Sequence, residues 1–233
     1  SFYVNRRTNL SVNPSFPNGL NNWYVTEPLF SLTKDILGGN SYYQWDSDSV
    51  GPILYTGPFG IENIPNIPPK ESAGTLELSW WTEFDICGNE SKQSDVFKID
   101  LTNPLIKDLM PKNNSEIKNL KPTISAYIDE VWQSNSGVNE SSIIMKLDNN
   151  NITPIIIKPS NQTLDRRAVY TPKIEVGEGW HEVYVYAKDN AGRESELTWK
   201  FKVNITALFN MTVYSPQNIT YDSKKVSFNI TTT

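Results

Sequence analysis

The sequence predicts an all-β chain made of tandem β-sandwiches, and three stretches carry that prediction. In GEGWHEVYVYAKDNAGRESELTWKFKV (177–203), Val183, Val185 and Ala187 alternate with Glu182, Tyr184, Tyr186 and Lys188. Leu197, Trp199, Phe201 and Val203 then alternate with Thr198, Lys200 and Lys202. Period-2 alternation of this length describes strands with one buried and one wet face. Asp189-Asn190-Ala191-Gly192 between them is turn chemistry, with Asx side chains followed by a glycine. The second stretch, AGTLELSWWTEFDI (73–86), places Leu76, Leu78, Trp80, Phe84 and Ile86 on one face and Glu77, Ser79, Trp81, Glu83 and Asp85 on the other. The third, PTISAYIDE (122–130), alternates Ile124, Ala126 and Ile128 against Thr123, Ser125, Tyr127 and Asp129.

Taken in order, residues 1–102 predict a first sandwich. NPSFPNGLNNW (13–23) supplies Pro and Gly turns before the strand start Trp23-Tyr24-Val25. Gly38-Gly39-Asn40 is a turn, followed by SYYQWDSDS (41–49) and GPILYTGPF (51–59). The segment 60–72, with Pro65, Pro68 and Pro69, is a loop. After the long strand, DVFKIDL (95–101) sets Phe97, Ile99 and Leu101 against Val96, Lys98 and Asp100. Residues 103–203 predict a second sandwich, opened by the linker signal Asn103-Pro104. Residues 204–233 hold two or three further strands, too few for a core of their own. They are expected to open a further repeat in a longer chain, or to serve as a strand-pairing segment.

Length and charge bound the function. A chain of 233 residues accommodates one large or two ordinary domains, with room for a remnant of a third. The net charge of −5 gives no basic face for nucleic acid, and no apolar run is long enough to span a membrane. N-x-Ser/Thr sequons begin at Asn9, Asn89, Asn113, Asn139, Asn151, Asn161, Asn204, Asn210, Asn218 and Asn229. Chance would give roughly four. Strand parity turns Asn204, Asn210 and Asn229 away from Val203, Phe209, Val213 and Phe228. Outward sequons in excess predict an N-glycosylated protein of the extracellular space or cell surface. The single cysteine, Cys87, ends an apolar strand and reads as a buried thiol. Without disulfides, stability must come from apolar cores.

Two resemblances to known families refine this. The phrase NPSFPNGLNNW, the strand AGTLELSWW and the late strand DVFKID make the first unit resemble jelly-roll carbohydrate-binding modules. In that family, the resemblance implies, a Glu after the Asn-x-Ser-Phe phrase and a late Asp surround a structural calcium. Here the first position is Pro17 and the second Asp100, which removes one ligand. PTISAYIDE, SGVNESSIIMKLD, VYTPKIEVGEGWHEVYVYAKDNAGR and WKFKV follow one another as in an immunoglobulin-like repeat of bacterial and archaeal surface proteins, which the second unit resembles. Arg193 stands where that repeat commonly has Asn.

Candidate chemistry is sparse. His181, the only histidine, lies on the Val183/Val185/Ala187 face and reads as a side chain bonding backbone near a sandwich corner. Glu77 with Glu83, and Asp46 with Asp48, are the carboxylate pairs a glycoside hydrolase would need. Trp81, on the polar face of its strand between Glu77 and Glu83, is a candidate sugar-stacking platform. Trp45 and the tyrosines Tyr42, Tyr43 and Tyr55 are candidates for the same face; the alternative is that loops or a second domain cover Trp81. Asp129, Glu130, Asp148, Asp189 and Glu194 fall in turns at sandwich ends, where calcium would stiffen a tandem array, though their spacing matches no EF-hand. The reading is a non-enzymatic structural or adhesive module of a surface layer or filament, in the style of archaeal surface glycoproteins. Its expected partners are copies of itself, other surface proteins or polysaccharide. The alternative is a carbohydrate-binding accessory region of a secreted enzyme.

Overall fold

The computed structural model describes residues 7–35, 37–45, 51–61, 74–84, 89–130, 135–161 and 164–205, and the backbone of strands 211–215 and 229–232. Cys87, Asp46 and Asp48 lie outside the described residues. In chain order the strands are β1 (Thr8–Asn13), β2 (Leu29–Lys34), β3 (Asn40–Trp45), β4 (Ile53–Leu54), β5 (Gly74–Glu83), β6 (Gln93–Ile99), β7 (Leu105–Met110), β8 (Ser115–Ile117) and β9 (Ile124–Asp129). Then come β10 (Val138–Leu147), β11 (Asn150–Ile152), β12 (Ile155–Ile157), β13 (Arg166–Tyr170), β14 (Gly179–Asp189), β15 (Glu194–Val203), β16 (Met211–Ser215) and β17 (Asn229–Thr232). One 3-10 turn, Leu20–Asn22, interrupts the β pattern among the described residues. None of their helices is long and apolar enough to cross a membrane.

A β1-β2 layer faces the four-stranded sheet β4-β3-β5-β6. Between them sits an aromatic core. Phe30 is fully buried, with ring centroids 5.4 Å from Trp45, 5.4 Å from Phe59 and 4.9 Å from Phe97. Leu76, Leu78 and Trp80 fill the β5 side, and Phe97 and Ile99 the β6 side, as alternation predicts. A polar clamp closes the edge of this sandwich. Glu90 accepts from Thr8 N (2.8 Å), Thr8 Oγ1 (2.5 Å), Thr82 N (3.2 Å) and Gln93 Nε2 (2.7 Å). Thr82 is wholly buried, and its hydroxyl meets those of Thr8 and Ser41.

The second core lies between the five-stranded sheet β11-β10-β14-β15-β8 and the four-stranded sheet β12-β13-β9-β7. Val183, Val185 and Ala187 from β14, Trp199, Phe201 and Val203 from β15, and Ile124, Ala126 and Ile128 from β9 are buried in it. The indole of Trp199 donates to Pro111 O at 3.0 Å, so the largest ring of this second core keeps its polar atom satisfied. Asp148 and Asn149 both have positive φ (50° and 63°) and join β10 to β11 in a two-residue hairpin. β16 pairs antiparallel with β17.

Replacing Phe30 with Ala is expected to destabilise the first core by about 3–5 kcal/mol, since three packed rings would line the cavity. Leu37→Ala, at a side chain 97% exposed, is expected to change stability by less than about 0.5 kcal/mol. Urea denaturation of the two variants checks both values.

Candidate functional site

The face of β5 that parity assigns to Trp81 is not an open platform. Trp81 stacks on Tyr42 across β3 (centroids 5.8 Å apart, 24° between planes), and the Lys92 ammonium sits 4.2 Å from its ring centre. Its Nε1 donates to Glu83 Oε1 at 3.2 Å. The residue is 5% exposed. Trp45 is buried completely in the aromatic core. The sugar platform expected at Trp81 and Trp45 is therefore corrected: neighbours occupy both rings. Glu77 and Glu83 are exposed, as expected, but six residues of extended chain set them about 20 Å apart. A glycosidase pair requires about 5–9.5 Å, so these two cannot flank one glycosidic bond.

Outward-facing aromatics occur elsewhere. On the wet face of β14, Trp180 is 56% exposed, with Tyr184 and Tyr186 farther along the same face. Tyr184 donates to Glu196 (2.7 Å) and Tyr186 to Glu194 (2.6 Å). The bond to Glu196, first, and burial push the Tyr184 hydroxyl up to about 12. Alternation marks this face in the sequence, but Trp180 passes unnoticed there beside the turn glycines.

The most constrained polar region joins the two cores. The turn 189–193 after β14 rests on residues 18–25 of the first unit. Leu20 N donates to Ala191 O (2.7 Å), and Asn21 Nδ2 to Asn190 O (2.8 Å). Arg193 reaches Asn103 Oδ1 through Nε (2.8 Å) and Val25 O through Nη1 (2.7 Å). Gly19 is needed for this approach: a Cβ there would lie 2.7 Å from Ala191 O and 2.9 Å from Trp23 O. Arg193 thus spans from Asn103 to residues 18–25 with one long side chain.

Behind this contact three carboxylates converge. Asp100 follows β6, Glu130 follows β9 and Asp189 ends β14. All are essentially buried, at 0%, 1% and 0% exposure, and one oxygen of each lies within 4.8 Å of the others. Asp100 is held by Thr102 N (3.3 Å) on Oδ1 and Ser136 N (2.9 Å) on Oδ2. Asp189 Oδ1 accepts from Gly192 N (2.7 Å) and Arg193 N (2.9 Å). Its Oδ2, both oxygens of Glu130 and Oδ1 of Asn135 are buried without a hydrogen-bond partner among the described residues. Burial, then the charges of Asp100 and Asp189, push the Glu130 carboxyl up to about 8; the nearby Asn135 amide offsets part of this without reaching hydrogen-bond geometry. Burial, then Asp100, raise Asp189 to about 6 against the pull of three backbone amides.

Of the acidic residues the sequence offers at sandwich ends, only Glu130 and Asp189 meet. Asp129 pairs with Lys107, Glu194 with Lys188 (3.1 Å), and Asp148 with His181. Asp100, which the resemblance pairs with position 17, joins Glu130 and Asp189 instead; that meeting is not legible in the sequence, because parity alone sets Asp100 on a wet face. A calcium built on position 17 and Asp100 does not fit, since Pro17 offers no side-chain ligand.

His181 behaves as the sequence predicts. Its Nε2 meets Gly177 O at 2.8 Å and its Nδ1 meets Asp148 Oδ2 at 2.7 Å, while the ring packs on Phe201. Burial favours the neutral ring, but the Asp148 bond, the Gly177 carbonyl and the Asp148 charge outweigh it and raise the pKa above its ordinary value. Two acceptors facing two ring nitrogens require an imidazolium. Its role is to pin the β10–β11 turn to β14.

Among the described side chains, the sequon residues Asn9, Asn89, Asn113, Asn151 and Asn161 are exposed, and Asn139 and Asn204 half-buried. Asn9 Nδ2 donates to Asp35 Oδ1, and Asn204 Nδ2 to Glu116 Oε1, each at 2.8 Å. The side chains of Asn210, Asn218 and Asn229 lie outside the described residues.

The fold defines an all-β chain of stacked β-sandwiches. No family model and no curated protein matches it. Solved structures share its strands at a distance. The chain is similar to CopC from Methylosinus trichosporium OB3b (12% identity, 43% of this chain and 93% of that one, TM-score 0.34). It is also similar to dimeric latent PorU from Porphyromonas gingivalis (11%, 97% and 26%, TM-score 0.38) and to an ICAM-5 D1–D4 ectodomain fragment (13%, 90% and 56%, TM-score 0.43). The chain thus spans about a quarter of PorU and about half of the ICAM-5 fragment. Superpositions this loose add nothing to what the strand pairing already defines.

A raised histidine pKa stabilises the fold fully below the ordinary value near 6.5, and that contribution is lost as pH rises through the folded value. His181→Ala is expected to cost about 2 kcal/mol at pH 5 and clearly less at pH 9. Urea denaturation at both pH values tests this; equal losses would mean that the ring is held neutral.

Proposed function

We propose that the chain is a non-enzymatic structural or adhesive module of an N-glycosylated cell-surface protein, with sandwich units at 1–102 and 103–203 and a further strand-forming segment at 204–233. The observation that carries this reading is the placement of the sequons. Seven of the ten have described side chains, and none of those seven is buried, so glycans attached there would extend into solvent without disturbing either core. The surface-layer or filament style, and the archaeal affinity, rest on the resemblance of the second unit to surface-protein repeats.

A second feature supports assembly. β12 is an edge strand of its sheet, and Ile155 and Ile157 on it are 71% and 47% exposed, close to Ile174 at 83%. Apolar side chains on an unpaired edge favour strand addition by another chain. Copies of this protein or other surface proteins are the partners this edge suits.

Intact-mass measurement of the protein from a glycosylating source is expected to show glycans removable by an N-glycosidase at several of Asn9, Asn89, Asn113, Asn151 and Asn161. Uniformly bare sequons would remove the reading. Ile155→Lys is expected to lower self-association in sedimentation velocity without changing the melting temperature by more than about 2 °C.

The alternative, a carbohydrate-binding accessory region of a secreted enzyme, draws its support from Trp180, Tyr184 and Tyr186 rather than from Trp81. On that reading Trp180→Ala abolishes retention on an immobilised polysaccharide and Trp81→Ala does not; failure of the unmodified protein to be retained across a glycan array sinks it.

A further inference from the structure

We propose that Asp100, Glu130, Asp189 and Asn135 form a binding site for a hard divalent cation, Ca²⁺ by its chemistry, that locks the two sandwiches together. Three carboxylates converging in the interior are not by themselves a site. A second observation makes this one: of six buried side-chain polar atoms without a hydrogen-bond partner among the described residues, four belong to Glu130, Asp189 and Asn135. Glu130, 1% exposed, leaves both carboxylate oxygens unsatisfied, and Asp189 leaves Oδ2. Asn135 is 6% exposed; its Nδ2 donates to Thr102 Oγ1 (2.8 Å), and its Oδ1, the acceptor end of an amide lying beside Glu130, has no donor. An unpaired buried acceptor destabilises the fold, and more so when it is charged. Four such atoms in one place call for a shared positive partner. Among the described residues no ion pair reaches Glu130 or Asp189.

The donor set selects the ion. Every candidate ligand is oxygen, three carboxylates and one amide carbonyl, with no imidazole or thiol among the described residues of the cluster. Oxygen-only sites suit Ca²⁺ or Mg²⁺ and disfavour zinc and copper. Oxygens on opposite sides of one Ca²⁺, at about 2.4 Å each, stand about 4.8 Å apart. The carboxylate oxygens here span no more than 4.8 Å, so one ion can touch all three. Mg²⁺ prefers shorter contacts in a rigid octahedron and keeps most of its water, which a buried pocket of protein ligands suits less well. Backbone amides already orient Asp100 and Asp189 through hydrogen bonds that leave lone pairs for a metal.

Position gives the ion its consequence. Asp100 N donates to Tyr24 O (2.9 Å), which ties that ligand to the first core. Glu130 N is bound by Asp165 Oδ1 (2.8 Å), and Asp189 is fixed by its own turn, so those two belong to the second. A cation held by all three neutralises the repulsion that otherwise opposes closing the joint. This inference stands apart from the surface-glycoprotein reading and survives its failure.

The test is calorimetry on the full chain stripped with EGTA. Titration with CaCl₂ is expected to give one site per chain, with Kd between about 1 µM and 1 mM, and saturating Ca²⁺ to raise Tm by about 5 °C or more. Glu130→Gln and Asp189→Asn are each expected to weaken binding at least about 10-fold, while Glu77→Gln on the exposed face of β5 leaves it unchanged. Absence of heat and of a Tm shift in the unmodified protein at about 5 mM Ca²⁺ would overturn the site and leave a proton shared among the carboxyls as the neutralising partner. Binding without a Tm shift would overturn the locking role. Because the decisive measurement uses the unmodified chain, a variant that fails to fold does not protect the proposal.

Discussion

Three carboxylates in one dry place are the constraint on which the arrangement of this molecule turns. Each core could exist around its own aromatic and aliphatic residues, Phe30, Trp45 and Phe97 in one, Val185, Trp199 and Phe201 in the other. Nothing in those cores dictates how the units meet. What fixes the meeting is polar: the turn 189–193 presents carbonyls and an arginine to residues 18–25, and the ends of β6, β9 and β14 bring Asp100, Glu130 and Asp189 together. Like charges repel strongly where water is excluded. Protons or a cation would offset that charge, a dependence that apolar packing does not have.

The same turn does two jobs with one short sequence. In Asp189-Asn190-Ala191-Gly192-Arg193, Asp189 Oδ1 caps the turn's own amides, and Asn190 Nδ2 holds Ser136 O and Gly137 O at 2.9 Å. Ala191 and Arg193 face outward to the first unit. Gly192, at φ 96°, adopts a backbone that L side chains rarely take, with the Leu20 side chain directly above it. The hairpin thus finishes the second core and engages the first with the same five residues.

Much of the fold was legible because burial follows strand parity. Leu76, Leu78, Ile124, Ala126, Ile128, Val183, Val185 and Phe201 are buried where alternation sets them. His181 bonds a backbone carbonyl near a turn, as its face predicts. Parity failed in one consistent way. It gives the side of a strand on which a residue lies but not what covers that side. Trp81 does lie with Glu77 and Glu83, yet Tyr42 and Lys92 cover it. Asp100 does lie with Val96 and Lys98, yet the second unit buries it while Val96 stays 57% exposed. Both errors involve partners remote in sequence, and no local pattern carries that information.

The sequence by itself therefore determined the class of fold, the long alternating strands β5, β9, β14 and β15 with their inward residues, and the supply of asparagine sequons, because each follows from a two-residue period or from the identity of a single side chain. β1, β2 and β7, and the place of Trp23–Val25 outside any strand, came only with the fold. Only the tertiary structure decided which polar residues became a site. Asp129, Glu130, Asp148, Asp189 and Glu194 are equivalent in sequence, acidic residues near turns. Folding pairs Asp129, Asp148 and Glu194 with basic groups and leaves Glu130 and Asp189 in the interior with Asp100. The difference is one of solvent and neighbours, set when two cores made from distant parts of the chain come into contact.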